Sequence, residues 1–241
     1  MRNGSLLVAF AAALAAGMAA TAAPPKAALA TLEEPLPPLA FLDSSTVRPE
    51  LLLPQPARPG SAELTRELDR VRLLVRTASP ARYAQAEADD ASEEPEQFDA
   101  AAGRKLENLP QTYALLKLVR DETEAVVIPA KAYFALPRPY QIDPALRHCG
   151  KGSAAHTAYP SGHAGFGYSV GWALAMLLPA RAPQVLARAQ DYALSREICG
   201  THFHADTEAS RVIGTMVAER LLADPRLAPR IAAARAELSQ R

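Results

Sequence analysis

Residues 196–206 read Arg-Glu-Ile-Cys-Gly-Thr-His-Phe-His-Ala-Asp (REICGTHFHAD), and two spacings overlap in them. From the C-terminal side, His202-x-His204-x-Asp206 is the first part of an HxHxDH metal-binding run. That run belongs to a β-rich sandwich with glycine-rich turns. From the N-terminal side, with Ser195 in front, the stretch is Ser-Arg, five residues, His202, three residues, Asp206. In this second reading Asp206 reaches His202 across one helical turn or a tight bend, and no metal is required.

Position 207, where the metal run needs its third histidine, is Thr. The periodicity of the remaining chain also favours the second reading. Ser61 can cap a helix in which Leu64, Leu68, Val71 and Val75 recur at helical spacing. Further helices are expected over 81–88, 111–128, 161–178 (capped by Ser161 and ended before Pro179), 184–196, 205–222 and 230–238. No strand-turn alternation occurs, only 12 glycines are present, and the segment after residue 22 has no Asn-Gly or Asp-Gly hairpin turn. The fold class is therefore all-α, a single helical-bundle domain over 61–241.

Two segments precede it. Residues 1–22 have a short positive start at Arg2, an apolar alanine-rich stretch over 6–20 and small residues at Ala20 and Ala22. They read as a secretory signal peptide, with Pro24 disfavouring cleavage after Ala23. Residues 23–60 carry Pro24, Pro25, Pro35, Pro37, Pro38, Pro49, Pro54, Pro56 and Pro59. That density excludes regular helix and predicts an extended arm, docked through Leu51-Leu52-Leu53. No later stretch reaches 18 uninterrupted apolar residues, so no membrane span is expected.

The 26 basic and 26 acidic residues balance to zero formal charge, about −1 once Arg2 is removed, which gives no reason to expect nucleic acid or an anionic membrane as partner. Two cysteines, Cys149 and Cys199, in an exported chain suggest one disulfide. Closing a loop of that length would stabilise by roughly 4 kcal/mol in the chain-entropy model. The acidic run over 87–99 lacks the ligand order of a calcium loop and reads as a solvated loop or helix face.

Three clusters carry chemistry: Lys131-x6-Arg138-Pro139, Tyr159-Pro160-Ser161-Gly162-His163, and Ser195-Arg196-x5-His202-x3-Asp206. Lys131, Arg138 and Arg196 supply the cationic donors that phosphoryl oxygens require. Ser161 and Gly162 open a helix whose free N–H groups and dipole favour an anion, and Gly162 allows close approach to its backbone. A carboxylate on one nitrogen of His202 would fix its tautomer and free the other for attack. His163 is placed to protonate a leaving oxygen and then to deprotonate water.

These three motifs, in this order, resemble the phosphatase motif of the type 2 phosphatidic acid phosphatase superfamily, and the exported form resembles the bacterial class A nonspecific acid phosphatases. The likeness extends upstream through Leu52-Leu53-Pro54 and residues 61–90. It implies an all-α fold, a periplasmic location, no cofactor and no metal. It also implies hydrolysis of small phosphomonoesters through a phosphohistidine intermediate, with alcohols competing with water as acceptors. By this resemblance His202 is the nucleophile, Asp206 its orienter and His163 the general acid. Lys131, Arg138, Ser161, Gly162 and Arg196 bind the phosphoryl group. A Cys149–Cys199 bridge would tie two loops at the pocket rim. The physiological substrate and any homo-oligomeric state are left open.

The chain departs from the family pattern at Pro129 and Pro137, which flank the first motif where a continuous helix carrying Lys131 and Arg138 is expected. A kink, or a different backbone route for Lys131, follows. His204 is expected at the pocket rim. Vanadate haloperoxidases share this oxyanion pocket but have much longer chains. A membrane lipid phosphatase needs spanning helices. A periplasmic oxyanion-binding protein needs the cations but not two opposed histidines.

Overall fold

The computed structural model describes residues 39–45, 47–152 and 155–240. Residues 1–22 and the first part of the proline-rich arm lie outside the described residues. Every regular element among the described residues is helical: α1 (Pro49–Leu52), α2 (Ala62–Thr77), α3 (Pro80–Asp90), α4 (Asp99–Ala102), α5 (Pro110–Phe134), α6 (Pro139–Ile142), α7 (Gly162–Leu177), α8 (Ala182–Ile198), α9 (His204–Leu222) and α10 (Ala228–Ser239), with short 3₁₀ turns between some of them. The all-α expectation holds.

Helix α7 is the centre. It is apolar nearly all round, which is the pattern of a helix buried on every side, and it packs against α9, α8 and α5. Phe166, Val170 and Leu174 of α7 meet Leu115, Leu116 and Val119 of α5, Val185 and Tyr192 of α8, and Ile213, Val217 and Leu221 of α9 in one core. Close helix approach sets one glycine: a Cβ at Gly214 would stand 2.8 Å from the Gly165 carbonyl oxygen and 2.9 Å from the Ser169 nitrogen, both backbone atoms of α7. Helix α10 lies on α5, and α3 lies on α8.

Local signals explain the helix starts. Ser61, Ser79 and Ser161 each accept a backbone N–H three residues on, from Leu64, Arg82 and Ala164. Four expectations need correction. The arm contains one helical turn, α1, because Pro49 sits at its first position, where a missing N–H does no harm. Of Leu51-Leu52-Leu53 only Leu53 is buried, while Leu51 and Leu52 face solvent. The arm is held instead by backbone: the N–H groups of Ala40, Phe41 and Leu42 all donate to the Glu122 carboxylate, and the Tyr159 hydroxyl donates to the Pro54 carbonyl at 2.8 Å.

The third correction concerns α5, which runs through Pro129 to Phe134 and ends at Ala135, whose φ of 49° is left-handed. Pro129 lacks the N–H that would reach the Ala125 carbonyl, yet packing on α7 carries the helix on. Lys131 therefore sits on its last turn, and Arg138 follows the break as the residue preceding α6. The fourth is the acidic run, which is not a solvated face. Asp89 is buried against Arg188 (2.6 Å) and the Ser195 hydroxyl (2.6 Å). Glu94 meets Lys117, Arg120 and Tyr113, and Asp90 and Glu93 enter the site described next.

Candidate active site

The site forms where the last turn of α5, the loop to α6, the start of α7 and the turn between α8 and α9 converge. That last turn is tightly determined. Helix α8 closes at Ile198, and the Arg196 carbonyl accepts the Thr201 N–H (3.2 Å), the Thr201 hydroxyl (3.0 Å) and the His202 N–H (3.2 Å). Gly200 has φ of 65°, and a Cβ there would lie 2.5 Å from the Arg147 carbonyl oxygen. Cys199, just before it, is bonded to Cys149 with a Cα separation of 5.0 Å, so the expected disulfide is present. The turn and the loop carrying Cys149 are thus joined by a covalent bond and by the Cys149 N–H donating to the Cys199 carbonyl at 3.0 Å.

His202 is 1% exposed. Its Nδ1 lies 3.1 Å from Asp206 Oδ2, and the same oxygen accepts the Phe203 N–H at 2.9 Å. One carboxylate therefore caps the first turn of α9 and orients the imidazole. The Asp206 carbonyl accepts the Ser161 N–H (3.3 Å) and the Ser210 hydroxyl donates to the Ser161 carbonyl (2.7 Å), which locks α9 to the start of α7.

A cavity of about 190 Å³ is lined by Lys131, Arg138, Gly162, His163 and His202, together with Glu93, Arg120, Thr123, Glu124, Val127, Ile128 and Phe166. Lys131 Nζ donates to the Thr157 carbonyl at 2.7 Å, and Arg138 reaches the same oxygen with Nη2 at 3.3 Å. A methyl added at Gly162 would stand 3.9 Å from both Lys131 Cε and Glu93 Oε1. Arg196 lines an adjoining cavity of about 200 Å³ that shares Arg138 and His163 with the first. Its Nη1 pairs with the Asp90 carboxylate, and its buried Nε has no hydrogen-bond partner. Ser161 is fully buried as the cap of α7 and does not line either cavity.

The electrostatics follow from this packing. Burial, then the charges of Arg138, Lys131 and Arg196, hold the His202 pKa well below the ordinary imidazole value, so the ring is neutral. Burial pushes the Asp206 carboxyl up to about 7, against the Phe203 N–H and the Lys131 and Arg138 charges, which pull it down. Lys131 is lowered by burial and by Arg138. Arg138 is lowered by burial and by Arg196, with Tyr140 opposing. Glu93 is the reverse case. Burial raises its carboxyl, but the hydrogen bond and charge of His163, helped by Arg196 and Lys131, outweigh that and leave it below the usual value.

The sequence reading misses Glu93 and Asp90. His163 Nδ1 is 2.7 Å from Glu93 Oε1, and Nε2 is 3.0 Å from the Asp90 carbonyl oxygen. It also places His204 wrongly. That side chain turns away from both cavities to Glu197 Oε1 at 3.0 Å, beside Thr207 and Arg70, because His204 opens α9 on the face opposite Asp206. His202 and His204 thus point at different carboxylates. Among the described residues no group of three or more His, Cys, Asp and Glu side chains is arranged to hold a metal ion.

An all-helical bundle thus presents a histidine held by the Asp206 carboxyl group and three basic side chains to two adjoining cavities. Residues 113–226 match the model of the PAP2 superfamily. It is similar to the non-specific acid phosphatases of Salmonella typhimurium and Salmonella typhi, 28% and 27% identical over 157 residues, 60% of this chain and 60% of theirs. An acid phosphatase of Zymomonas mobilis is 40% identical over 58 residues, 24% of this chain and 22% of that one. The chain thus spans less than two thirds of the length of the first two relatives. No helix among the described residues is long and apolar enough to cross a membrane.

Proposed function

We propose that the protein is a metal-independent acid phosphatase that hydrolyses small phosphomonoesters through a phosphohistidine. The observation that carries this reading is the neutral His202, held through Nδ1 by Asp206, sharing one cavity with Lys131, Arg138 and His163. The names of its relatives support the same reaction class.

In the first step His202 Nε2 attacks phosphorus, the P–N bond forms, and the ester P–O bond breaks. The departing oxygen takes a proton from His163. Lys131, Arg138, Arg196 and the N–H groups at the start of α7 stabilise the charge on the equatorial oxygens of the trigonal bipyramid. In the second step neutral His163 accepts a proton from water, the new P–O bond forms, and the P–N bond breaks to release phosphate. An alcohol in place of water gives phosphotransfer. Residues 1–22 would direct export and the periplasm would be the site of action. Domain limits at 22 and 60 follow from the same reading.

The first step needs His202 neutral and His163 charged, so the pH–rate profile is bell-shaped. Burial and neighbouring cations keep His202 neutral below the ordinary imidazole range, and the raised Asp206 carboxyl must lose its proton to accept the Nδ1 hydrogen, so Asp206 sets the acid limb of the profile. The test is phosphate release from p-nitrophenyl phosphate at pH 5–6 in excess EDTA, with His202→Ala as partner. Turnover that survives the chelator and vanishes in the variant is expected. Activity that dies with EDTA and returns with zinc sinks the proposal.

A further inference from the structure

His163 has an acceptor at each ring nitrogen: the Glu93 carboxylate at Nδ1 (2.7 Å) and the Asp90 carbonyl at Nε2 (3.0 Å). A neutral imidazole has a single N–H and would set a lone pair against one of those oxygens; only the doubly protonated ring satisfies both. The loop bearing Glu93 is fixed on either side of it. The Tyr192 hydroxyl donates to the Ser92 carbonyl at 2.6 Å, and the Tyr192 ring lies parallel to His163 at a centroid distance of 6.4 Å. On the other side Glu94 is held by Lys117, Arg120 and Tyr113. A carboxylate lining an anion cavity works against anion binding, so its placement calls for another use. The contact with His163 supplies one.

We propose that Glu93 is the positioning residue of His163, holding the Nδ1 hydrogen so that Nε2 delivers its proton to the leaving oxygen. This rests on the phosphoryl-transfer reading above, with His163 as the acid. The arrangement repeats that of His202 and Asp206: in both pairs the carboxylate takes Nδ1. No extra group enters the chemistry. The Nε2 proton moves from the Asp90 carbonyl to the departing alkoxide and returns from water in the second step, while the Nδ1 proton stays shared with Glu93. The other titratable groups around the ring are the Asp90 carboxylate and Arg196, which pair with each other, and Lys131, Arg138 and the neutral His202 across the cavity, whose wall also holds Arg120 and Glu124. Glu93 is the carboxylate in direct contact with the ring. Its lowered pKa agrees with an ionised partner of a cationic imidazole.

The test compares Glu93→Gln, Glu93→Asp and His163→Ala on two substrates across pH 4–9. p-Nitrophenyl phosphate has a leaving group that needs little protonation, and glycerol 2-phosphate has one that needs it fully. Glu93→Gln keeps an acceptor but removes the charge. It is expected to lower kcat/KM, which reports the first step alone, by about 10–100-fold on the alkyl ester, to affect the aryl ester much less, and to move the alkaline limb of that profile to lower pH. KM should stay level or fall, because a negative charge leaves the cavity. Glu93→Asp should recover part of the loss. Equal losses on both esters with an unmoved limb would reduce Glu93 to loop packing and overturn the proposal. His163→Ala separates the two levels. If it discriminates between the esters while Glu93→Gln does not, Glu93 alone fails. If it does not discriminate either, the acid assignment falls and the proposal with it.

Discussion

Replacing Asp206 with Asn should do two opposite things, and the second can be sized from the structure. Asp206 is 2% exposed and receives the Phe203 N–H and the His202 Nδ1 side on one oxygen. An amide preserves the shape, but its NH₂ group invites the wrong imidazole tautomer, with hydrogen on Nε2, the nitrogen proposed to attack. Phosphatase turnover should therefore fall by roughly 10³–10⁴-fold, the scale of orienting-carboxylate losses in histidine-dependent sites. Stability should move the other way as pH rises. The Asp206 carboxyl goes from 3.8 to about 7 on folding. An acid whose folded pKa is raised stabilises the fold below its unfolded value and loses that contribution as pH climbs through the folded one. Ionising Asp206 in the folded protein thus costs on the order of 4 kcal/mol above pH 7 relative to pH below 4, at about 1.4 kcal/mol per tenfold of proton affinity. The amide of the variant cannot ionise. Urea unfolding of both proteins at pH 4, 5.5 and 8, in phosphate-free buffer, should show Asp206→Asn gaining on wild type by up to that amount as pH rises. Lys131, Arg138 and His202 face the Asp206 charge, so the difference reports Asp206 together with these contacts. Parallel stability curves across the range would refute the raised carboxyl and the burial argument behind it.

Two further variants test the frame that holds the site. Replacing Cys149 and Cys199 together with Ser opens a loop with a sequence separation of 50 and should reduce unfolding free energy in urea by about 4 kcal/mol in the chain-entropy model; an unchanged midpoint would count against it. Gly214→Ala drives a methyl into the α7 backbone at 2.8–2.9 Å and should destabilise by about 1–3 kcal/mol, read from the same titration, whereas a neutral result would mean that α9 shifts freely.

Much of this fold can be read before any coordinates, for local reasons. Ser61 and Ser161 announce helix starts because their side chains bond three residues on. His202 and Asp206 are four apart, and a single turn joins them. What stays hidden is long-range or context-bound. Glu93 and His163 are 70 residues apart, and the acidic run carries no periodicity that would distinguish Glu93 from Glu87 or Glu96. Asp89 and Asp90 read as surface charge until Arg188 and Arg196 of α8 arrive beside them. Pro129 suggests a broken helix because the rule about proline concerns one hydrogen bond, while burial of Val126, Val127 and Ala130 on the same helix acts over several. His204 misleads by its nearness to His202 in sequence, since a two-residue step at a helix start points side chains to different faces.

The two histidines share a design and differ in surroundings, and that difference is enough to divide the work. Each gives Nδ1 to a carboxylate. His202 is wholly enclosed and faces Arg138, Lys131 and Arg196, so a proton on its second nitrogen would be both desolvated and repelled. Its Nε2 lone pair is what a nucleophile needs. The His163 side chain is 27% exposed and stands between two oxygens that only an N–H can satisfy. A hydrogen on each of its nitrogens is what an acid needs. The roles belong to the positions, to burial behind the disulfide-tied turn in one case and to the acidic loop after α3 in the other.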